Sequence, residues 1–135
     1  MDIQKSPSYI LAKISRKIEI SFQNVLNEYP LTLSHYGILL TIYNNENISQ
    51  TGLGKILEVD RATMVYLLDF LEEENYLKRV KNPNDRRSFQ LVLTSKGKSI
   101  LKPLWKIRTK IEQKTFENLN KKEKKIINRI CRQIN

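Results

Sequence analysis

The sequence predicts a mainly α-helical single domain carrying one small β-hairpin. Three observations carry this: apolar residues recur at helical spacing in most of the chain, the period falls from 3.6 to 2 between residues 77 and 93, and the boundaries coincide with cap and turn residues. From Pro7 to Tyr29, Ile10, Ile14, Ile18, Phe22, Val25 and Leu26 recur at helical spacing. Pro30 closes this first helix, because a residue before proline is pushed out of the α region. A second helix starts with Thr32 or Ser34 as N-cap and turns Tyr36, Leu39, Leu40 and Tyr43 inward. After a turn at Asn44 to Asn47, Ser49 caps a short third helix reaching about Leu57, and Asp60 caps a fourth running to about Glu74. On a wheel of about 100° per residue, Met64, Leu67, Leu68 and Leu71 form the core side of the fourth helix. Ala62, Tyr66, Asp69 and Glu73 lie opposite, with Arg61 and Thr63 flanking near its start. Asn75 takes the position just past the end, where Asn is the next choice after Gly for the left-handed conformation. Leu77, Arg79 and Lys81 then alternate with Lys78, Val80 and Asn82, and Phe89, Leu91 and Leu93 alternate with Gln90 and Val92. The turn formers from Asn82 to Ser88 between them make a β-hairpin with a basic tip. Thr94 or Ser95 caps a fifth helix carrying Ile100, Leu101, Leu104, Ile107 and Ile111, in which Pro103 marks a kink or the true first turn. Asn120 and Glu123 form a capping box opening a last helix with Ile126, Ile127, Ile130 and Ile134.

Composition narrows the function. The 135 residues fit one domain, and 40% hydrophobic residues supply a core. A single cysteine, Cys131, excludes an internal disulfide and any cysteine-rich zinc site. The longest apolar run, Ile38 to Tyr43, is far short of the ~20 residues of a membrane-spanning helix. The N-terminus lacks the basic-then-apolar plan of a signal peptide, so a cytoplasmic protein with no membrane partner is expected. With 24 Lys and Arg against 14 Asp and Glu, the formal charge is +10, which points first to nucleic acid and second to an anionic membrane surface. Its distribution is uneven: +1 over residues 1–30, −5 over 31–77, +6 over 78–98 and +8 over 99–135. An acidic scaffold followed by a basic hairpin indicates one element that touches an anion.

Helices followed by a two-stranded hairpin make the winged helix-turn-helix arrangement, here spanning 31–98 of a single domain of residues 1–135. The third and fourth helices form the helix-turn-helix, which puts the N-terminal end of its second helix into the DNA major groove. The apolar faces left over in 1–30 and 99–135 indicate dimerisation helices and a two-fold homodimer. The competing reading, a winged helix that docks on another protein and never meets DNA, has no need for +6 in 21 residues. An enzyme is not indicated. There is no Gly-rich phosphate loop, metal-ligand spacing or nucleophile–base pair, and neither cofactor nor metal is expected. His35, the only histidine, reads as a helix-start residue with a hydrogen bond.

From Leu31 to Leu101 the chain resembles the MarR family of bacterial transcriptional regulators. The matching residues are Leu31-Thr32, Leu53-Gly54-Lys55-Ile56-Leu57, Met64-Val65, Leu68-Asp69 with Leu71-Glu72, and the wing Lys78-Arg79-x-x-Asn82-Pro83-Asn84-Asp85-Arg86-Arg87, ending in Leu93-Thr94-x-x-Gly97. The resemblance implies a dimer with interlocked first and last helices, acting as a repressor on a palindromic double-stranded operator and released by a small, often phenolic ligand. It departs from the family pattern at Asn75, where Gly is usual, at His35, a frequent Gln, at Gly54, a usual Ala, and at Tyr66, which in some relatives is a base-reading Arg.

The candidate DNA contacts follow. Arg61, Ala62, Thr63 and Tyr66 face the groove from the fourth helix, and Ser49 and Gln50 offer N-terminal contacts to phosphate. Lys81 and Asn84 belong to the wing, whose tip carries Arg86 and Arg87. Lys78, Arg79, Lys96 and Lys98 read as further phosphate neutralisers. Two adjacent guanidinium groups in a hairpin tip bury nothing, so a purely structural role does not account for both. In the family one such arginine enters the minor groove, where narrow A·T-rich stretches concentrate negative potential. Arg86 is favoured for that role, the other arginine pairing with Asp69 or Asp85 as a wing brace.

Overall fold

The computed structural model describes residues 2–83 and 85–134, and within them the side chains of all but Asp85, Arg86, Cys131 and Ile134. A short 3-10 turn at Ile3–Lys5 precedes α1 (Pro7–Leu26), α2 (Leu33–Asn44), α3 (Gln50–Leu57), α4 (Arg61–Glu73), β1 (Leu77–Asn82), β2 (Asp85–Leu93), α5 (Ser95–Thr115) and α6 (Lys121–Ile134). The chain is therefore mainly α with a single antiparallel hairpin.

The helix starts are set by local side-chain chemistry. Thr32, Ser49 and Asp60 each accept a backbone N–H three residues on, from His35, Gly52 and Thr63. Thr94 does the same for Gly97 at 3.1 Å. Asn120 accepts from Lys122 and Glu123 while the Glu123 carboxylate accepts from the Asn120 N–H at 2.8 Å, a complete capping box. α1 stops at Leu26, three residues before the expected Tyr29. The chain there tightens into i→i+3 bonds, Glu28 to Val25 and Tyr29 to Leu26. Pro103 lies eight residues into α5, so it does not mark the first turn.

The molecule divides into two units. One comprises Gln23–Trp105; the other joins Met1–Phe22 to Lys106–Asn135. The winged-helix unit is thus wider than residues 31–98. Gln23 accounts for its early start, donating to the Leu31 carbonyl at 3.0 Å and accepting from the Leu33 N–H at 3.1 Å. Its core is Leu26, Leu31, Ile38, Leu39, Leu53, Met64, Leu68, Leu71, Leu77, Leu91 and Leu104, all fully buried. Tyr36 and Leu39 are buried as expected, but Leu40 is only half-buried, Tyr43 is 57% exposed, and Ile38 and Ile42 take the other core positions of α2. That helix is apolar nearly all round, so periodicity alone does not select a face. In the other unit Phe22 is fully buried with the Arg108 guanidinium 5.4 Å from its ring centre.

His35 is buried at the start of α2 and stacked on Phe70 at 4.4 Å. Its Nδ1 accepts from the Thr32 N–H at 3.2 Å, so the neutral ring completes a capping box. Desolvation holds its pKa below the usual 6.5. Below that pH the unfolded chain takes up a proton the folded ring resists, so this contribution to stability is present above about pH 6.5 and is lost as pH falls toward the depressed folded value. His35→Gln keeps an acceptor for the cap and removes the titration. Denaturation midpoints between pH 5 and 7 should depend less on pH in that variant than in the parent; equal pH dependence would refute the assignment.

Candidate nucleic-acid interface

The wing grows out of α4 through a left-handed turn. Asn75, at φ 61°, lets its own N–H bond the Glu72 carbonyl and the Tyr76 N–H bond the Leu71 carbonyl at 2.8 Å, a Schellman ending. β1 then pairs with β2 in the register Leu77↔Leu93, Arg79↔Leu91 and Lys81↔Phe89. The next pair is Asn82↔Asp85, so Arg86, Arg87 and Ser88 form a bulge. The expected open loop from Asn82 to Ser88 is therefore mostly strand, with pairing resuming at Asp85. Cross-strand bonds fix the bulge, since Asn82 Nδ2 donates to Ser88 Oγ at 2.9 Å.

Two sets of contacts hold the base of the wing. On one side the Leu91 N–H donates to the Ile48 carbonyl at 2.9 Å, pinning β2 to the residue that precedes the Ser49 cap of α3. On the other, Arg79 reaches back to α4. Its N–H donates to Glu72 Oε1 at 2.8 Å, and its guanidinium pairs with Glu72 and, at 2.7 Å, with Asp69. Asp69 thus braces the wing, with Arg79 as its described partner. Lys96 is likewise committed to structure. Its ammonium caps the end of α4 at the Glu74 carbonyl, 2.6 Å away, and lies 4.0 Å from the Tyr76 ring centre. Charge alone, which reads Arg79 and Lys96 as phosphate neutralisers, does not reveal these intramolecular partners. Arg79→Ala should cost about 1–2 kcal/mol in urea denaturation, leaving two half-exposed carboxylates facing each other. Arg79→Lys should recover only part of it, because an ammonium does not bridge both acids as the planar fork does.

The candidate recognition surface lies at the start of α4. Glu58, in the left-handed region at φ 53°, turns the chain between α3 and α4, and the Val59 N–H closes on the Gly54 carbonyl at 3.1 Å. Asp60 then caps α4. Thr63 holds its carboxyl below the usual range, first by a hydroxyl bond of 2.6 Å and then by the backbone N–H. Arg61, Ala62 and Thr63 are exposed beyond this cap, and Tyr66 is 72% exposed one turn on. The Thr63 hydroxyl donates to Asp60, so it turns outward chiefly its methyl and a remaining lone pair, whereas the Ser49 hydroxyl accepts from Gly52 and keeps its own proton to donate.

Ser49, Gln50, Arg61 and Arg87 line one open hollow of ≈ 810 Å³ between α3, the start of α4 and the wing. Lys55 and Phe89 line it too, and the sequence pattern marks neither as a site residue. Phe89 alternates with the buried Leu91 and Leu93 and so reads as core. It sits opposite Lys81 at the bulge, past the end of the packed layer, and is 49% exposed. Ala62, Thr63 and Tyr66 do not line the hollow but sit on the exposed face of α4. Lys81 is exposed on β1. Asn84 and the side chains of Asp85 and Arg86 lie outside the described residues. Among the described residues no group of three His, Cys, Asp or Glu could hold a metal, and no helix is long and apolar enough to cross a membrane.

A family model described as MarR family matches residues 31–89. The HTH-type transcriptional regulator BilQ of Clostridioides difficile is 32% identical over 122 residues, spanning 88% of this chain and 82% of its own length. A crystal structure of MarR superposes with a TM-score of 0.88 at 27% identity, covering 99% of this chain and 91% of the other. A mutant MarR from E. coli complexed with operator DNA gives 0.83 at 22% identity over 94% of this chain and 91% of its own, a likeness of fold.

Proposed function

The chain belongs to the MarR family, and from that premise we propose that it is a sequence-specific DNA-binding transcriptional regulator, a cytoplasmic dimeric repressor of a palindromic operator. One observation carries the reading: the exposed start of α4 and the Arg87-bearing bulge of the wing open on the same hollow. A helix end beside a basic ribbon is the arrangement that reads base edges in the major groove while the ribbon reaches backbone or minor groove. Dimerisation is supported by Ile10 and Leu11 of α1 and Ile126 and Ile130 of α6, large apolar side chains left exposed in the single chain. Release by a small aromatic or phenolic ligand comes from the family alone.

Fluorescence anisotropy on duplexes tiling the DNA upstream of the protein's own gene is the direct test. One segment should bind at least about 10³-fold more tightly than its shuffled sequence at physiological salt. Equal affinity for both would reject a sequence-specific regulator.

A further inference from the structure

The positive charge of the molecule does not sit in the unit that carries the recognition helix. Gln23–Trp105 holds ten basic and nine acidic residues, a net +1, whereas 1–22 with 106–135 holds fourteen and five, a net +9. In the helical unit four of the five acids, all but Glu117, are committed. Glu112 pairs with Arg108 at 3.1 Å, Asp2 with Lys5 at 3.6 Å, Glu19 accepts from the Ser15 hydroxyl at 3.1 Å, and Glu123 caps α6. Lys121, Lys122, Lys124, Lys125 and Arg129 are exposed and have no ion pair among the described residues.

Apart from Lys114, which the dipole favours in the last turn of α5, folding gives these charges no reason to be there. Lys121, Lys122 and Lys124 occupy the first turn of α6, where the positive end of the helix dipole disfavours cations. In α5, Lys106, Lys110 and Lys114 follow one another at i, i+4 steps of about 6 Å, where like charges repel. Choices that break local rules without a structural return mark function. On the α6 wheel, Lys121, Lys125, Arg129 and Arg132 lie opposite Ile126, Ile127 and Ile130, so covering the apolar face leaves the basic one on the surface.

We propose that the basic face of α6, with Lys106, Lys110 and Lys114 of α5, is a second, sequence-independent surface for the phosphate backbone of duplex DNA. Its chemistry suits that partner. Lysine is a mobile point charge that neutralises phosphate without the fixed fork that reads base edges. With Ile126, Ile127 and Ile130 covered in the proposed dimer, α6 keeps no large apolar side chain among the described residues to enter a bilayer, which surface-lying membrane helices rely on. A reading unit of net +1 draws little long-range attraction from its own charge, and a unit of +9 supplies it. This extends the proposed operator binding without depending on which residues read the sequence.

The test is anisotropy of the full chain on a random-sequence duplex across a salt series, alongside operator binding. Lys121→Gln/Lys122→Gln/Lys124→Gln/Lys125→Gln should reduce the slope of log affinity against log salt by roughly three to four units per protomer, leaving the preference for operator over random duplex unchanged. Restoring charge as four arginines should restore the slope, and sedimentation with circular dichroism should show the parent fold and assembly. An Arg61→Ala/Arg87→Ala variant should lose the preference and keep the lysine-dependent slope; failure of that result alone would count against the operator reading. An unchanged random-duplex slope in the quadruple variant overturns the proposal. So does loss of binding to phosphatidylglycerol vesicles with duplex binding intact, which assigns the face to a membrane.

Discussion

Gly97→Ala is expected to destabilise the winged-helix unit by about 3 kcal/mol. A methyl group at this position would stand 2.1 Å from the Tyr76 carbonyl oxygen and 3.1 Å from its carbon, both backbone atoms. That carbonyl is not free to retreat. It accepts from the Thr94 N–H and hydroxyl, each at 3.1 Å, and Tyr76 itself closes the Schellman ending of α4. Relief requires the first turn of α5 to move away, which breaks the Thr94 cap on Gly97 and the 2.7 Å bond from the Thr94 hydroxyl to the Asn75 carbonyl. One glycine therefore holds together the end of the recognition helix, both roots of the wing and the start of α5. Urea denaturation checks it, with Gly37→Ala as control. That site lies inside α2 with open space around a would-be Cβ, so the same substitution there should be neutral or stabilise by up to about 1 kcal/mol. Equal effects at the two sites would remove the steric argument.

What could be read from the chain beforehand was whatever local chemistry decides. Thr32, Ser49, Asp60, Asn75 and Asn120 with Glu123 mark helix ends through bonds spanning two to five residues, and each serves as the spacing indicates. Met64, Leu67, Leu68 and Leu71 are buried because α4 is polar on its other side and the period selects one face. α2 has no polar side to select against, hence the exchange of Tyr43 for Ile38 and Ile42. The commitments of Arg79 and Lys96 were hidden for another reason. Their partners lie seven to twenty-two residues upstream, across a turn whose geometry decides which basic side chains fold back and which face outward. Charge totals rank segments and cannot separate a brace from a contact. The bulge at Arg86–Ser88 escaped the period-2 reading because it depends on a hydrogen bond across the hairpin, from Asn82 to Ser88.

Arg86→Ala/Arg87→Ala is expected to weaken operator binding by about 100-fold while leaving the fold intact. Each arginine–DNA contact contributes roughly 1–3 kcal/mol, and with one arginine in the groove and the other supporting it the pair should exceed 2 kcal/mol together. Stability should change little. The wing is held by Arg79 on Glu72 and Asp69 and by Leu91 on Ile48, all remote from the bulge. The salt slope should fall by roughly one to two units, as expected when one or two phosphate-region contacts disappear. The single variants divide the roles. The arginine that enters the minor groove should matter more on an operator with A·T-rich flanks than on one with G·C-rich flanks, because the narrow A·T groove concentrates negative potential. Its neighbour should weaken both alike. Arg87 lines the hollow with Arg61 and Gln50, and Arg86 precedes it in the same bulge, so the two side chains start from adjacent positions on one distorted strand. A double variant that still binds the operator at parental affinity would show that α4 reads the site without the wing tip, and the specificity would then rest on Arg61, Ala62, Thr63 and Tyr66.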